Sequence, residues 1–266
     1  EEWDFRWVEI VHGVEASTEE QRTERKKIAR STYSHALSSL QEVSQKIIYH
    51  EPAGVRKVKR IVQDMVDLLM EDDSVLLGMS TIKDYHDYTY THSVNVAILS
   101  LCLGKRIGLS RMSLRVLGIC GLVHDLGKVE IPMEILEKPG KLSDEEREEI
   151  ERHPLSTVRQ VIKLRASSDL KAKILLAPFE HHLKYDLTGY PRIGRNKPVS
   201  LFGRILTIAD VYDAMRSVRP YKKAFSIEKT LAIIRSEGEG HFSPDLLAAF
   251  ESSREEFEEV RSRLPE

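Results

Sequence analysis

The sequence has few of the residues that mark several protein classes. Only two cysteines, Cys102 and Cys120, occur in 266 residues, and their spacing is not CxxC. A disulfide framework or a cysteine-based zinc site is therefore not expected. No signal peptide and no bilayer-spanning apolar run is recognisable. The formal net charge is −2, which argues against a general nucleic-acid-binding protein. We expect a cytoplasmic protein without a membrane span and without a nucleic-acid polymer as partner.

Glycine and proline are also sparse, with 14 and 10 residues, whereas hydrophobic residues make up 41% of the chain. This composition favours helices over a turn-rich β architecture, and the length is sufficient for a substantial core. The spacing of apolar residues predicts helices near 17–50, 55–70, 85–107, 110–126, 155–165, 169–182, 201–216, 226–236 and 244–262. The predicted fold class is therefore all-α.

Local signals refine this pattern. Ser143 to Glu146 predict a capping box at the start of an acidic helix, and Gly127 is expected to end the preceding helix in a left-handed conformation. Residues 1–14 resemble a short strand, Asp72 to Ser74 a helix cap, and residues 184–200 a loop.

His124-Asp125, followed by Gly127-Lys128, is the most informative feature of the chain. An adjacent His and Asp at the end of an apolar run can both reach one metal ion. Further candidate ligands are His92, His153, His181, His182 and Asp210. A single histidine in such a helix is more often a hydrogen-bonded core residue. Together, however, these imidazoles and carboxylates suit two borderline divalent ions, which a carboxylate can bridge.

The ordered motifs resemble the HD-GYP family of the HD metallohydrolase superfamily. They are Tyr88 to Val96, His124 to Lys128, Ile131-Pro132, Lys138 to Gly140, Arg152 to Pro154, His181-His182, Gly189 to Pro191, Ala209 to Met215, Arg219 to Lys222 and His241 to Pro244. The resemblance implies an all-α HD-type helical bundle at residues 80–255. An N-terminal helical linker, or the tail of a missing domain, would occupy 1–79, and a C-terminal tail 256–266. It also implies hydrolysis of cyclic di-GMP to pGpG, and possible further conversion to GMP.

The same resemblance implies the roles of the site residues. One metal would bind His92, His124, Asp125 and Asp210, and the other would share Asp125 and bind His153, His181 and His182. Iron is the expected metal, then manganese, with nickel or zinc found after purification. Lys128 and Asp125 would be the catalytic residues, with the Lys128 ammonium stabilising the developing charge or assisting the leaving group. A helix-end lysine that complements the helix dipole is the alternative for Lys128. Substrate would contact Asp186, Tyr190, Pro191, Arg219 and Lys222.

Three positions depart from the family pattern. Leu183 and Leu187 replace Glu and Gly beside the histidine pair, and Tyr88 stands where some relatives have a Glu for a third metal. We therefore expect two metals, and we expect reduced activity because a carboxylate next to a ligand is lost. Two alternatives stay open: a catalytically weak cyclic-dinucleotide receptor or protein-interaction domain, and a phosphodiesterase for a mixed GMP-AMP ring.

The local charge and the first residues of the sequence suggest which partners to expect. Between residues 184 and 223 basic residues outnumber acidic ones, nine to three, which beside a metal cluster favours phosphate binding. The chain opens with Glu1-Glu2 rather than Met, so we expect a fragment of a longer chain. The expected partners are cyclic di-GMP, a second copy in a homodimer, and an N-terminal sensory domain.

Overall fold

The computed structural model describes residues 19–71, 88–192, 194, 197–217 and 224–252. Within them the chain forms a series of α-helices and one short 3₁₀ helix, Leu126–Glu130. The helices are α1 (Glu19–Ile48), α2 (Arg56–Glu71), α3 (Tyr88–Arg106), α4 (Arg111–Val123), α5 (Met133–Leu136), α6 (Asp144–Glu151), α7 (His153–Lys163), α8 (Ser168–Glu180), α9 (Leu201–Arg216), α10 (Ile227–His241) and α11 (Pro244–Ser252).

The predicted all-α fold class is confirmed: the described residues contain no strand, only two isolated β-bridges. Serine side chains define many helix starts, because each accepts a hydrogen bond from a backbone N–H that the first turn leaves unpaired. They are Ser110, Ser143, Ser167, Ser200 and Ser226. At Ser143 the reciprocal bond from Glu146 is also present, so the predicted capping box is confirmed.

The α3–α4 pair forms the centre of the core and has the most extensive helix contact. Gly121 on α4 permits the close approach of α3, and Gly118 on α4 permits the close approach of α2. A Cβ atom at Gly121 would lie 2.6 Å from Ala97 Cα, and one at Gly118 would lie 2.7 Å from Val62 Cγ1. This close packing brings the N-terminal half of α3, with His92, next to the C-terminal end of α4, which His124 caps.

The N-terminal helices share this core. Buried residues of α1 and α2, including Tyr33, Leu40, Val62 and Met65, belong to the same apolar cluster as α3 and α4. α1 contacts α3 and the 3₁₀ helix, and α2 contacts α4. The boundary predicted at residue 80 stays a prediction, but the helices before it pack directly against the helices after it.

The prediction for Gly127 is wrong. α4 ends at Val123, and Gly127 lies inside the 3₁₀ helix without a positive φ. Its small size is required for packing instead, because a Cβ atom there would lie 2.3 Å from the backbone oxygen of His153 and 2.4 Å from the nitrogen of Thr157.

Several predictions lie outside the described residues. These are the strand at 1–14, the cap at Asp72 to Ser74, the C-terminal tail at 256–266, the predicted helix beyond Ser252, and the substrate residues Arg219 and Lys222. Within the described part of the chain, no helix is both long enough and apolar enough to span a membrane.

Candidate metal centre

Five histidines and two aspartates meet at the centre of the helical bundle. His92 comes from α3 and Asp210 from α9, while the others lie at helix ends: His124 caps α4, Asp125 precedes the 3₁₀ helix, His153 begins α7, and His181 caps α8, followed by His182. All are buried except His182, whose side chain is 21% exposed. The structure thus brings together every residue predicted to bind metal.

Asp125 lies between two groups of histidines. Its Oδ2 atom is 3.3 Å from His124 Nε2 and 3.7 Å from His92 Nε2, whereas its Oδ1 atom is 3.2 Å from His153 Nε2 and 3.7 Å from His181 Nε2. Each carboxylate oxygen therefore faces a different pair of imidazoles. This arrangement is consistent with a binuclear site in which Asp125 contacts both ions.

Potential ligand atoms form two sets, within each of which all atoms lie within 4.8 Å of one another. One set is His92, His124 and Asp125, and the other is Asp125, His153, His181 and His182. Asp210 adds a carboxylate between them, with Oδ1 2.9 Å from His92 Nε2 and Oδ2 3.7 Å from His182 Nδ1.

Three of the histidines are oriented in the same way. The Nδ1 atoms of His124, His153 and His181 contact the backbone oxygens of the residues three positions earlier, at 2.8, 2.6 and 2.6 Å. Such carbonyls are free at helix ends, because no later amide of the helix reaches them. When Nδ1 donates its proton to the carbonyl, Nε2 carries a lone pair directed toward Asp125.

His92 uses a different partner because it lies within α3. Its Nδ1 atom is 2.7 Å from Asp213 Oδ2. Asp213 also accepts hydrogen bonds from Asn95 Nδ2 at 3.0 Å and from the Ser217 hydroxyl at 3.0 Å. Asp213 thus orients a candidate ligand through its hydrogen bond to Nδ1.

Burial and hydrogen bonding give the residues of the cluster different charge states. Burial lowers the pKa of His182 to about 3 and that of His181 well below the usual range, so both imidazoles are neutral and can bind metal. Burial opposes the charged form of His92 as well, but hydrogen bonds to Asp210 and Asp213 raise its pKa to about 9. The neighbouring His124 and Lys128 side chains hold the pKa of Asp125 well below its ordinary value despite burial.

Two unsatisfied atoms indicate that the donor set fits divalent cations. Among the described residues, His124 Nε2 and Asp125 Oδ1 are buried without a hydrogen-bond partner. Buried polar atoms are rarely left unpaired in folded proteins, and a bound ion can satisfy such atoms in place of a hydrogen bond. Imidazole nitrogens and carboxylate oxygens are ligands that transition-metal ions prefer.

Lys128 lies at the edge of this cluster. Its Nζ atom donates to Asp125 Oδ2 at 2.5 Å, and its side chain is 23% exposed. The 3₁₀ helix produces this contact, because it places Lys128 three residues after Asp125 on the same side. The lysine is therefore close both to the Asp125 carboxylate and to solvent.

A tight hairpin carries the Gly-Tyr-Pro segment to the cluster. Leu183 pairs with Gly189, and the Tyr190 amide donates to the backbone oxygen of His182. The Tyr190 ring lies 4.4 Å from the His182 ring, centre to centre, at an angle of 34°. The Tyr190–Pro191 peptide bond is cis. Beside this hairpin is an open cleft of about 690 Å³, lined by Glu151, Lys184, Leu187, Thr188, Gly189, Tyr190, Arg192 and Gly194.

The unusual residues of this hairpin have clear structural positions. Leu187 has a φ of 67°, a conformation that favours glycine. Leu183 is buried at 3% exposure. Asp186 Oδ1 accepts hydrogen bonds from the amide and hydroxyl of Thr188, so its carboxylate stabilises the turn. Whether Asp186 also contacts substrate stays a prediction.

The sequence did not reveal the polar side chains that hydrogen-bond to the backbone around the histidines. Thr157 donates to the His124 oxygen at 3.0 Å, and Thr207 donates to the His181 oxygen at 2.9 Å. Glu180, fully buried, accepts from the backbone amide and hydroxyl of Ser200 at the start of α9. Of these three residues, only Glu180 could have been singled out in the sequence, because it directly precedes the histidine pair.

The fold and the cluster together define an all-helical, metal-binding domain built around a His-Asp pair. A model of the family described as "HD domain" matches residues 60–246. A cyclic di-GMP phosphodiesterase of Pseudomonas aeruginosa is 36% identical over 190 residues, 71% of this chain and 45% of that protein. The 3'3'-cGAMP-specific phosphodiesterase 3 of Vibrio cholerae is 34% identical over 178 residues, 67% of this chain and 38% of that protein.

A solved structure of an HDG"Y"P protein from Bdellovibrio bacteriovorus shares the fold, with a TM-score of 0.70 and 16% identity over 91% of this chain and 75% of that chain. The chain belongs to the HD domain family, and the resemblance to HD-GYP proteins is confirmed. It spans less than half the length of the two phosphodiesterases it matches.

Proposed function

We propose that this chain is a metal-dependent phosphodiesterase that hydrolyses cyclic di-GMP. The observation that carries the proposal is the placement of Asp125, whose two oxygens face separate pairs of histidine nitrogens. Two divalent cations held there would polarise the phosphate and lower the pKa of a water molecule. Iron is our first choice of metal and manganese the second.

The residues around the ions have distinct proposed roles. Lys128 would neutralise charge that develops on the leaving oxygen, since its ammonium group is partly exposed beside Asp125. Tyr190 lines the cleft and contacts His182, so its ring would place a guanine or a phosphate next to the cluster. Lys184 and Arg192 add positive charge to the cleft wall, which suits a dinucleotide with two phosphates.

Arg219 and Lys222 complete the proposed substrate site on the strength of the sequence resemblance alone. Changing both to alanine should weaken cyclic di-GMP binding, because each charge-assisted hydrogen bond contributes roughly 1.5–3 kcal/mol. The metal content should stay the same, since the positively charged side chains of Arg219 and Lys222 do not bind metal cations. Unchanged affinity in the double variant would place the substrate elsewhere.

The direct test combines metal analysis with product analysis. Protein purified without oxygen and supplied with Fe(II) or Mn(II) should contain two metal equivalents and convert cyclic di-GMP to pGpG. The variant Asp125→Ala should lose both metals and all hydrolysis. Asp169→Ala, which removes an exposed carboxylate from α8, is the matched control. If Asp125→Ala retains two metals while folded, the bridging role is refuted.

Two other functions have specific support and are decided by the same assay. The similarity to a cGAMP-specific phosphodiesterase favours a mixed GMP-AMP ring as an alternative substrate, so both cyclic dinucleotides should be compared. Leu183 and Leu187 favour a receptor that binds a cyclic dinucleotide without turnover. Tight binding with two metals and no product would establish the receptor. The cytoplasmic location, the homodimer and the N-terminal sensory domain stay predictions.

A further inference from the structure

A chain of buried hydrogen bonds connects the candidate metal centre to α1. The Tyr33 hydroxyl donates to Asn95 Oδ1 at 3.1 Å, and Asn95 Nδ2 donates to Asp213 Oδ1 at 3.0 Å. Asp213 Oδ2 then lies 2.7 Å from His92 Nδ1. All four residues are at most 5% exposed, so water does not compete for these bonds.

His92 needs this chain because the usual helix-end support is absent. The other three oriented histidines donate to carbonyls three residues earlier, at helix ends. His92 lies inside α3, where the oxygen of Thr89 instead accepts from the Ser93 hydroxyl. Asp213 is therefore the group that holds the proton of His92 on Nδ1 and leaves Nε2 for a metal.

The chemical types of the donors and acceptors fix the direction of each hydrogen bond in this series. Asp213 is an acceptor on both oxygens, so Asn95 must turn its amide NH₂ toward it. The amide oxygen of Asn95 then faces away from Asp213 and accepts from the Tyr33 hydroxyl. Removing that hydroxyl would take this hydrogen bond from a buried amide whose other end orients Asp213.

We propose that Tyr33 is a positioning residue of the metal centre, acting on His92 through Asn95 and Asp213. The proposal makes α1 a functional part of the centre, although Tyr33 lies outside residues 60–246, which the HD domain model matches. It rests on the proposed metal binding at His92.

The experiment compares Tyr33→Phe with Ser44→Ala. Tyr33→Phe removes only the hydroxyl group, and Ser44→Ala removes another buried hydroxyl from α1, about 16 Å further along the helix. Zinc affinity is measured by competition with a chromophoric chelator. The ¹⁵N spectrum of labelled histidine, recorded with zinc and without metal, follows the Nδ1–H signal of His92, assigned by its loss in His92→Gln.

We expect Tyr33→Phe to weaken zinc binding by about 10-fold, the lower end of the effect of residues that support a ligand. The His92 Nδ1–H signal should shift and exchange faster with water, while Ser44→Ala behaves as wild type. Asn95→Asp, which sets two carboxylates against each other, should weaken binding by about 100-fold. This second variant breaks the same chain at another link.

Each outcome decides the question. A wild-type zinc affinity and an unchanged His92 signal in Tyr33→Phe would overturn the proposal. Equal losses in Tyr33→Phe and Ser44→Ala would also overturn it, because general loosening of α1 would then explain the effect. If the wild type binds no zinc, the proposed function fails, and the His92 signal of the metal-free protein still tests the role of Tyr33.

Discussion

Gly127→Ala should displace one half of the metal centre. The added methyl group would lie 2.3 Å from the His153 oxygen, 2.4 Å from the Thr157 nitrogen and 2.8 Å from the Thr157 hydroxyl. Ordinary contacts are about 3.5 Å or longer, so the first turn of α7 must retreat by about 1 Å. Because the clashing atoms are mostly backbone, side-chain rotation cannot relieve the strain. The movement would carry His153 away from Asp125, to which its Nε2 atom is now 3.2 Å distant.

The expected cost is about 1–3 kcal/mol in the free energy of unfolding, the usual range for overpacking. For a domain of this size that lowers Tm by about 2–4 °C per kcal/mol. Calorimetry measures the shift, and elemental analysis should show loss of the metal bound by His153, His181 and His182. Gly54→Ala is the control, since nothing lies within 4 Å of its added carbon, and it should be neutral or stabilising. Wild-type stability with two metals in Gly127→Ala would refute this reasoning.

Three further predictions follow from particular residues. Leu187→Gly should raise the free energy of unfolding by roughly 0.5–1 kcal/mol, because relief of left-handed strain exceeds the entropy cost of glycine; Leu187→Ala keeps the strain and should not stabilise in the same denaturant titration. Burial raises the pKa of Cys120 to about 12, so a maleimide should label native protein at the half-buried Cys102 before Cys120; mass spectrometry showing equal rates would contradict this. Since the pKa of metal-free His92 is about 9, metal binding at pH 7 should release a proton, and affinity should rise with pH toward 9; calorimetry in buffers of different ionisation enthalpy measures it, and pH-independent binding would exclude it.

The metal cluster was predictable because its residues occur at sites that sequence patterns can locate. His124 and His181 follow apolar helical segments, and the capping box at Ser143 fixes the helix that leads to His153. Helix periodicity located these two helix ends to within three residues, since ends at 126 and 182 were predicted and Val123 and Glu180 are observed. The family motifs supplied the order of the ligands. The bounds of α9 were predicted to the residue, since Ser200 caps a continuous apolar pattern.

Other features depend on contacts between residues distant in the chain, which periodicity does not encode. Gly127 was expected to turn the chain, yet its size matters because α7 packs against it. Tyr33 reads as one more apolar position of α1, and its hydrogen bond reaches 62 residues along the chain. The buried position of Leu183 also changes the meaning of a family departure: restoring a glutamate there would bury a carboxylate, which costs stability unless it is paired.

The positions of the histidines follow from the hydrogen-bonding needs of helix ends. An imidazole that binds metal through one nitrogen almost always has a partner at the other nitrogen that fixes its proton. A helix end offers such a partner without any additional residue, because its last carbonyls lack helical amides. His124, His153 and His181 all use this carbonyl. His92 lies within a helix and must obtain its partner from α9, through Asp213. The centre therefore depends most on tertiary structure at His92. Changes in the packing of α1, α3 and α9 should affect that ligand before His124, His153 and His181.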